Sequence, residues 1–514
     1  MMAGDTVTVM AGNYASERVQ VTKSGSAGLP ITYQAQGTAV MKGFKITANY
    51  ITIKGFEIAN TDYVRWHADV SAGVYVKGSN VVIENNYIHD SSLNGIVLYG
   101  TPSEPTVTSN CIVRNNRLFR NEMVGIDVAG RNHLIEGNEV WGSVQCHPAV
   151  MAVEDNAADN PNHLACPNYP GVGGLDADGI RFFGQGHIFR KNNIHDIKYG
   201  PTGLNPSIGD YNVNPHIDCF QTWTSQLYNE IAQNIIFEQN YCQVLETQAA
   251  PENGHVFMLD GGANNLYIRN NIFKAYGGVN TGGSGHAHHL YIYNNIWINN
   301  PTFNKLWPGA IGLDNAPYSI VKNNIFYDQP YHTIVATGDT TGQEIDYNLA
   351  YNSNGTTPDC FRVGDYVCKN PAPTHDLWKV DPKFVNPANG DYHLQAGSPA
   401  IDKGVNLSSL VTNDYDGNSR PQGAGFDIGA FEYVSGTQPP TPTLTSTPTL
   451  TPTPTLTPYY KNPDVTGDGK VDSLDLNQLL SKWGPVPSNT SADLNQDSII
   501  NSLDATIILA NWQP

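Results

Sequence analysis

Positive charge is what this sequence lacks most. Its 514 residues hold 28 Lys and Arg against 47 Asp and Glu, a formal net charge of −19. A surface of that sign repels nucleic-acid phosphates and anionic membranes, so neither is expected as a partner. Charge of either sign is scarce, at 15% of residues, which is low for a helical chain and ordinary for loop-rich β architecture. No apolar run of about 18 residues occurs, so no membrane-spanning helix is expected. Helical periodicity is missing from roughly the first 430 residues, where β-branched residues alternate instead.

A short phrase recurs through that region. Two β-formers and a polar pair ending in Asn precede an apolar residue, as in VVIENNYI (Asn86), CIVRNNRL (Asn116), LIEGNEV (Asn138) and IFRKNNI (Asn193). It continues in IIFEQNY (Asn240), YIRNNIF (Asn271), YIYNNIW (Asn295), IVKNNIF (Asn324) and IDYNLA (Asn348). Most gaps are roughly 22 to 31 residues, the spacing of a solenoid. Between the Asn phrases sits a second strand, as in NGIVLYG, VGIDVAG and DGIRFFG. The expected fold is all-β, a right-handed parallel β-helix of about ten coils, with equivalent positions stacked about 4.8 Å apart. The repeated Asn is read as a structural amide ladder. Of the seven cysteines, Cys146 with Cys166 and Cys360 with Cys368 are expected as loop disulfides, Cys219 and Cys242 inside the coils, and Cys111 free.

Two gaps are much longer, and long excursions on one side of a solenoid usually build a binding wall. They flank a chemically dense stretch. Aligned by strand, Asp178, Asp218 and His255 form one column, and Asp127, Arg181, Gln221 and Met258 form a second that alternation turns outward. Asp176, His216 and Asp260 lie beside them, and Phe183 and Trp223 are expected on the same surface, where aromatic rings stack on sugars. The plain alternative is that Asp before Gly, as at Asp178-Gly179, only bonds local backbone. His286, His288 and His289 are read as ordinary strand histidines.

The opening phrases GDTVTVMAGNY, GLPITYQAQG and ITIKGFEI resemble those of secreted β-helix polysaccharide lyases. The column resembles the polygalacturonase family of glycoside hydrolases, with Asp176-Ala177-Asp178 in place of Asn-Thr-Asp, Ile217-Asp218 in place of Asp-Asp, and Gly254-His255 matching Gly-His. The next turn, Gly278-Val279-Asn280-Thr281-Gly282, has no counterpart of the family's Arg-x-Lys, which would hold a uronate.

Hydrolysis uses one carboxyl group to protonate the leaving oxygen and another to activate water or attack the sugar, roles that Asp178 and Asp218 are expected to fill. Elimination instead uses carboxylates to hold calcium through oxygen ligands, with Arg181 or His255 removing the proton. Hydrolysis is the first expectation, a calcium-dependent lyase the second, and a non-catalytic glycan-binding protein the third.

From about Asp381 the texture changes, and residues 381–436 read as a cap for the last coil, with Asp402, Asp414, Asp416 and Asp427 as turn residues. Residues 437–461, rich in Thr-Pro, read as an extended spacer. Residues 462–514 hold two twelve-residue loops, DVTGDGKVDSLD and DLNQDSIINSLD, each before an apolar helical pattern. Calcium-loop spacing makes Asp464, Thr466, Asp468, Lys470 (by its carbonyl), Asp472 and Asp475 one ligand set, and Asp493, Asn495, Asp497, Ile499 (by its carbonyl), Asn501 and Asp504 the other. The duplicated loop-helix resembles a dockerin. That resemblance implies a small α-helical domain with two Ca²⁺ sites, docking onto a cohesin domain of a scaffold protein. It also implies an extracellular or cell-surface setting and a polysaccharide substrate for residues 1–380. Met1-Met2-Ala3-Gly4-Asp5-Thr6 runs straight into a strand pattern with no leader peptide, so the natural N-terminus is expected further upstream.

Overall fold

The computed structural model describes residues 1–435 apart from 65–66, 101–106, 145–176, 199–216, 225–229, 246–253, 276, 283–284, 300–309, 330–332, 356–361, 365–366 and 369–374, and residues 465–466, 471, 478–479, 482, 484–485 and 499–500 beyond them. The chain divides into two units, residues 1–442 and 443–514.

The first unit opens with two 16-residue strands, Thr6–Val21 and Ile31–Ile46, and from Ile51 to Gly364 each coil contributes three short strands. Val81–Glu84, Tyr87–His89 and Asn94–Leu98 make one coil, and Ile112–Arg114, Arg117–Phe119 and Val124–Val128 make the next. Each strand pairs in parallel with its counterpart one coil on, as in Val82 with Ile112, Tyr87 with Arg117 and Asn94 with Val124. The fold is the parallel β-helix that the repeats predict. Inward residues stack into apolar ladders, among them Phe189 on Phe237 at 4.9 Å and Phe220 on Phe257 at 5.0 Å. Burying such side chains stabilises the fold by about 1.5–3 kcal/mol each.

The Asn ladder is continuous. Asn86, Asn116, Asn138, Asn192, Asn240, Asn271, Asn295, Asn324 and Asn348 are all buried. The Oδ1 of each accepts from both the backbone N–H and the Nδ2 of the one before; Asn240 Oδ1 takes both bonds from Asn192 at 3.0 Å. The fourth rung is Asn192, not Asn193, which instead begins the strand Asn193–Lys198. The residue before each rung turns the corner with positive φ, as Asn85, Asn115, Lys191, Gln239 and Asn270 do. Asn tolerates that conformation better than most side chains. The ladder ends on an acid: Asp376 Oδ1 accepts from Asn348 N at 2.7 Å.

The tail from 381 does not simply close the final coil. Its residues Phe384, Tyr392, Leu394, Ala400, Ile428, Ala430 and Phe431 form one apolar cluster with Ile272, Ile296, Ile298, Ile325 and Leu349, which face outward from successive coils. Gln239 and Asn270 donate to Asp414 O and Asn413 O, and Asn294 to Asp427 O and Gly429 O. The tail therefore lies along the flank of the helix. Within it Arg420 and Glu432, both fully buried, pair at 2.6 Å. Asp414 and Asp427 accept backbone N–H bonds, as turn residues should.

In the second unit, residues 478–479 are helical, and Gly484–Pro485 pairs antiparallel with Ile499–Ile500. Val465, Val471 and Leu479 are buried.

Candidate active site

Five strands of one sheet carry the cluster: Val124–Val128, Asp178–Phe182, Ile217–Thr222, Gly254–Leu259 and Gly277–Asn280. Through the first four strands the register is the one expected: Asp127 pairs with Arg181, Arg181 with Gln221, Gln221 with Met258, and Asp218 with His255. The fifth strand adds Asn280 beside Met258 and Gly277 beside His255. Inward neighbours Ile180, Phe182, Phe220 and Phe257 anchor these strands in the core. Cys219 and Cys242 form a disulfide across the coil interior, fixing the strand that carries Asp218 and Gln221. They lie inside as expected, but their pairing was not foreseen. Cys111 is free and buried, and the other two expected bridges lie outside the described side chains.

Asp178 and Asp218 each bond backbone, but that of the next coil, not that of the local turn named as the plain alternative. Asp178 Oδ1 accepts from Asp218 N at 3.1 Å, and Asp218 Oδ1 accepts from His255 N at 3.0 Å. The column is a carboxylate ladder parallel to the amide one. Both aspartates are 0% exposed. Beyond this they differ. Asp178 Oδ2 pairs with Arg181 Nε at 2.8 Å, whereas Asp218 Oδ2 is buried with no hydrogen-bond partner among the described residues.

Arg181 is held on several sides. Its Nε also reaches Gln221 Oε1 at 3.1 Å, and its guanidinium carbon lies 5.1 Å from the centre of the Trp223 ring. Phe183 meets Trp223 edge-on at 4.8 Å and is itself 1% exposed, so it backs Trp223 and offers no ring face to a sugar. That corrects its expected stacking role. Trp223 and Asp260 are half-buried, and Asp127 is buried.

His255 sits between two partners, Asp218 Oδ1 at 3.2 Å from Nδ1 and Asn280 Nδ2 at 3.3 Å from Nε2. Gly277 makes room for the ring, since a Cβ there would lie 2.8 Å from His255 Cδ2. Sequence reasoning missed Asn280 because it looked on that coil for cations. Two other buried histidines, His133 and His187, stack with centroids 5.0 Å apart, and burial holds both imidazoles below the usual range. They continue a buried ladder and take no part in this site. His288 and His289 contact one another, His286 faces Asp314 and Asn315, and no group of three potential metal ligands occurs among the described residues.

Asp176 and His216 lie outside the described residues. So do the calcium-loop positions Asp464, Asp468, Lys470, Asp472, Asp475, Asp493, Asn495, Asp497, Asn501 and Asp504; Thr466 is exposed, and the backbone of Ile499 is paired in a strand.

A family model described as "Right handed beta helix region" matches residues 13–160, and one described as "Dockerin type I domain" matches residues 462–511. No curated protein matches the sequence. Similar solved structures include a pectate lyase, Pel9A (16% identity, TM-score 0.39, covering 84% of this chain and 87% of that one). Another is XylC in complex with xylose (13%, 0.43, 84% and 94%), and a third an alginate lyase from Paenibacillus sp. str. FPU-7 (14%, 0.32, 73% and 91%). At these scores they assign no activity to this chain. The protein joins a right-handed β-helix region to a type I dockerin domain.

Proposed function

We propose that this protein is an extracellular polysaccharide-degrading enzyme held on a cohesin-bearing scaffold by its dockerin. The observation that carries the reading is the convergence of Arg181, Gln221, Trp223, His255 and Asn280 on consecutive coils of one sheet face, above two buried carboxylates. Such a row of polar groups with one aromatic wall suits a sugar chain. In the dockerin, the two twelve-residue loops offer hard oxygen donors in a spacing that fits Ca²⁺. Calcium there would order the loops for docking.

Hydrolysis of a neutral polysaccharide is the first reading. Asp127, Asp178, Asp218 and Asp260 make this face rich in carboxylates, with Arg181 the guanidinium among its described residues, a setting that suits an uncharged chain better than a polyanion. A neutral sugar chain is cleaved by adding water. One proton leaves the attacking water and one reaches the departing oxygen. We assign Asp218 and His255 to this proton traffic. Asp178 serves to hold Arg181, which with Trp223 positions the sugar; Gln221, Asp127 and Asp260 meet its hydroxyls. Asp176 and His216 remain candidates for the second proton-transfer group.

Elimination on a uronate polymer is the second reading, favoured by the 0% exposure of Asp178 and Asp218. It leaves His255 as the group able to remove a proton. One experiment separates the two: digestion of xylan, arabinan, pectin and alginate with calcium present, read for new reducing ends and for ultraviolet absorbance of an unsaturated uronate. Reducing ends alone support hydrolysis, and both signals together support elimination. Neither signal on any substrate, with binding retained, would leave a glycan-binding protein.

A further inference from the structure

We propose that Asn280 sets the tautomer of His255, holding the ring proton on Nδ1 and leaving the lone pair on Nε2. The inference rests on the site reading above and extends it to a residue with no acid–base chemistry of its own. Asn280 Oδ1 accepts from Gly282 N at 2.8 Å. That bond fixes which end of the amide is oxygen, so the NH₂ end is the one that meets His255 Nε2 at 3.3 Å. A nitrogen facing an N–H donor is an acceptor. On the other side of the ring, Asp218 Oδ1 is 3.2 Å from Nδ1 and only accepts, so the ring proton is on Nδ1. The chain of bonds runs one way, from Gly282 N–H to Asn280, from Asn280 to His255, and from His255 to Asp218.

The arrangement selects one tautomer. The other would place an Nε2–H against the Asn280 NH₂, donor facing donor, and the amide cannot turn without breaking its bond to Gly282. It would also leave the Asp218 carboxylate, which only accepts, against a bare Nδ1. Asn280 thus keeps the lone pair of the ring on Nε2. It is a positioning residue and is not assigned to touch the reacting atoms.

The test is the tautomer of His255 in the full chain, read at alkaline pH from the ¹⁵N shifts of Nδ1 and Nε2 in ¹⁵N-labelled histidine. The His255 signals are identified as those lost in His255→Gln. In the parent the proton is expected on Nδ1. In Asn280→Asp the amide donor becomes an acceptor, and the ¹⁵N shifts are expected to move toward an Nε2–H ring. In Asn280→Ala the donor is lost without a new acceptor, and a smaller move is expected. Far-UV circular dichroism of both variants confirms that the coils persist. An Nε2–H ring in the parent, or the parent's tautomer kept in both folded variants, would overturn the proposal. The site reading is tested separately: full activity of His255→Gln would remove His255 from the reaction, whatever Asn280 does to its tautomer.

Discussion

Asp178 and Arg181 stand three residues apart on one strand and still meet, Oδ2 to Nε at 2.8 Å, with side chains 0% and 6% exposed. Strict alternation would turn them to opposite faces. They meet at the entrance of the strand, beside Gly179, where a Cβ would strike Cys219 O at 2.9 Å and Ile194 Cγ2 at 2.6 Å. Asp178→Ala takes the carboxylate from beside a buried guanidinium that keeps Gln221 and Trp223. The expected loss is about 3–5 kcal/mol of stability, read by urea denaturation. Arg181→Met leaves the Asp178 carboxylate facing an apolar chain and is expected to cost a comparable amount while also lowering activity.

His255→Gln keeps a polar side chain but removes the group proposed to exchange a proton. The fold is expected to persist and kcat to fall by roughly 10²- to 10⁴-fold on whichever polysaccharide is cleaved. Steady-state rates beside a thermal melt check both halves of this expectation.

Asn240 makes four hydrogen bonds through its side chain, two as donor and two as acceptor. Asn240→Ala strips partners from Asn192 and from Phe189 O in the buried interior. Each orphaned group costs about 1–3 kcal/mol, so the variant is expected to rank among the most destabilising single changes in the β-helix. Equilibrium unfolding of the variant beside a surface control such as Lys191→Ala measures the difference.

Asp376 ends the amide ladder, and burial pushes its carboxyl up to about 7. Its Oδ2 has no hydrogen-bond partner among the described residues. A group whose folded pKa lies above its unfolded value of about 3.9 stabilises fully below the unfolded value and loses that contribution as pH rises through about 7. Asp376→Asn cannot ionise. It is expected to raise the melting temperature at pH 8 relative to the parent, with little change at pH 4. Differential scanning calorimetry across that range decides it.

Chelation is expected to abolish cohesin binding while leaving the β-helix folded, because the calcium-loop spacing lies wholly within residues 462–514. Isothermal titration with a cohesin, with and without EDTA, tests the first half, and the far-UV spectrum of the strands tests the second.

Much of this was legible because a solenoid writes its register into the sequence. The stacking of Asp218 on His255 and of Arg181 on Gln221 followed from aligning repeated strands. The slip from Asn192 to Asn193 arose where Lys191-Asn192-Asn193 offers two amides and only the hydrogen bonds distinguish them. The flank position of the tail was not readable. Its partners Ile272, Ile296 and Ile325 belong to strands of three residues, too short for alternation to say which apolar residue faces out. The burial of Asp178 and Asp218 was equally hidden, since a carboxylate that bonds the next coil's N–H has the same letter as one that faces substrate. Asn280 escaped notice because its influence depends on the orientation of an amide, which no spacing encodes.

The tail's course has a mechanical meaning. Between Gly404 and Tyr433 it is bonded to Gln239, Asn270, Asn294 and Asn323, corner residues of four successive coils, and to the strand residue Arg269. Tension arriving through residue 435 is therefore shared in shear by several coils at once, in place of peeling the final coil strand by strand. A β-helix pulled through its own tail is gripped around its middle.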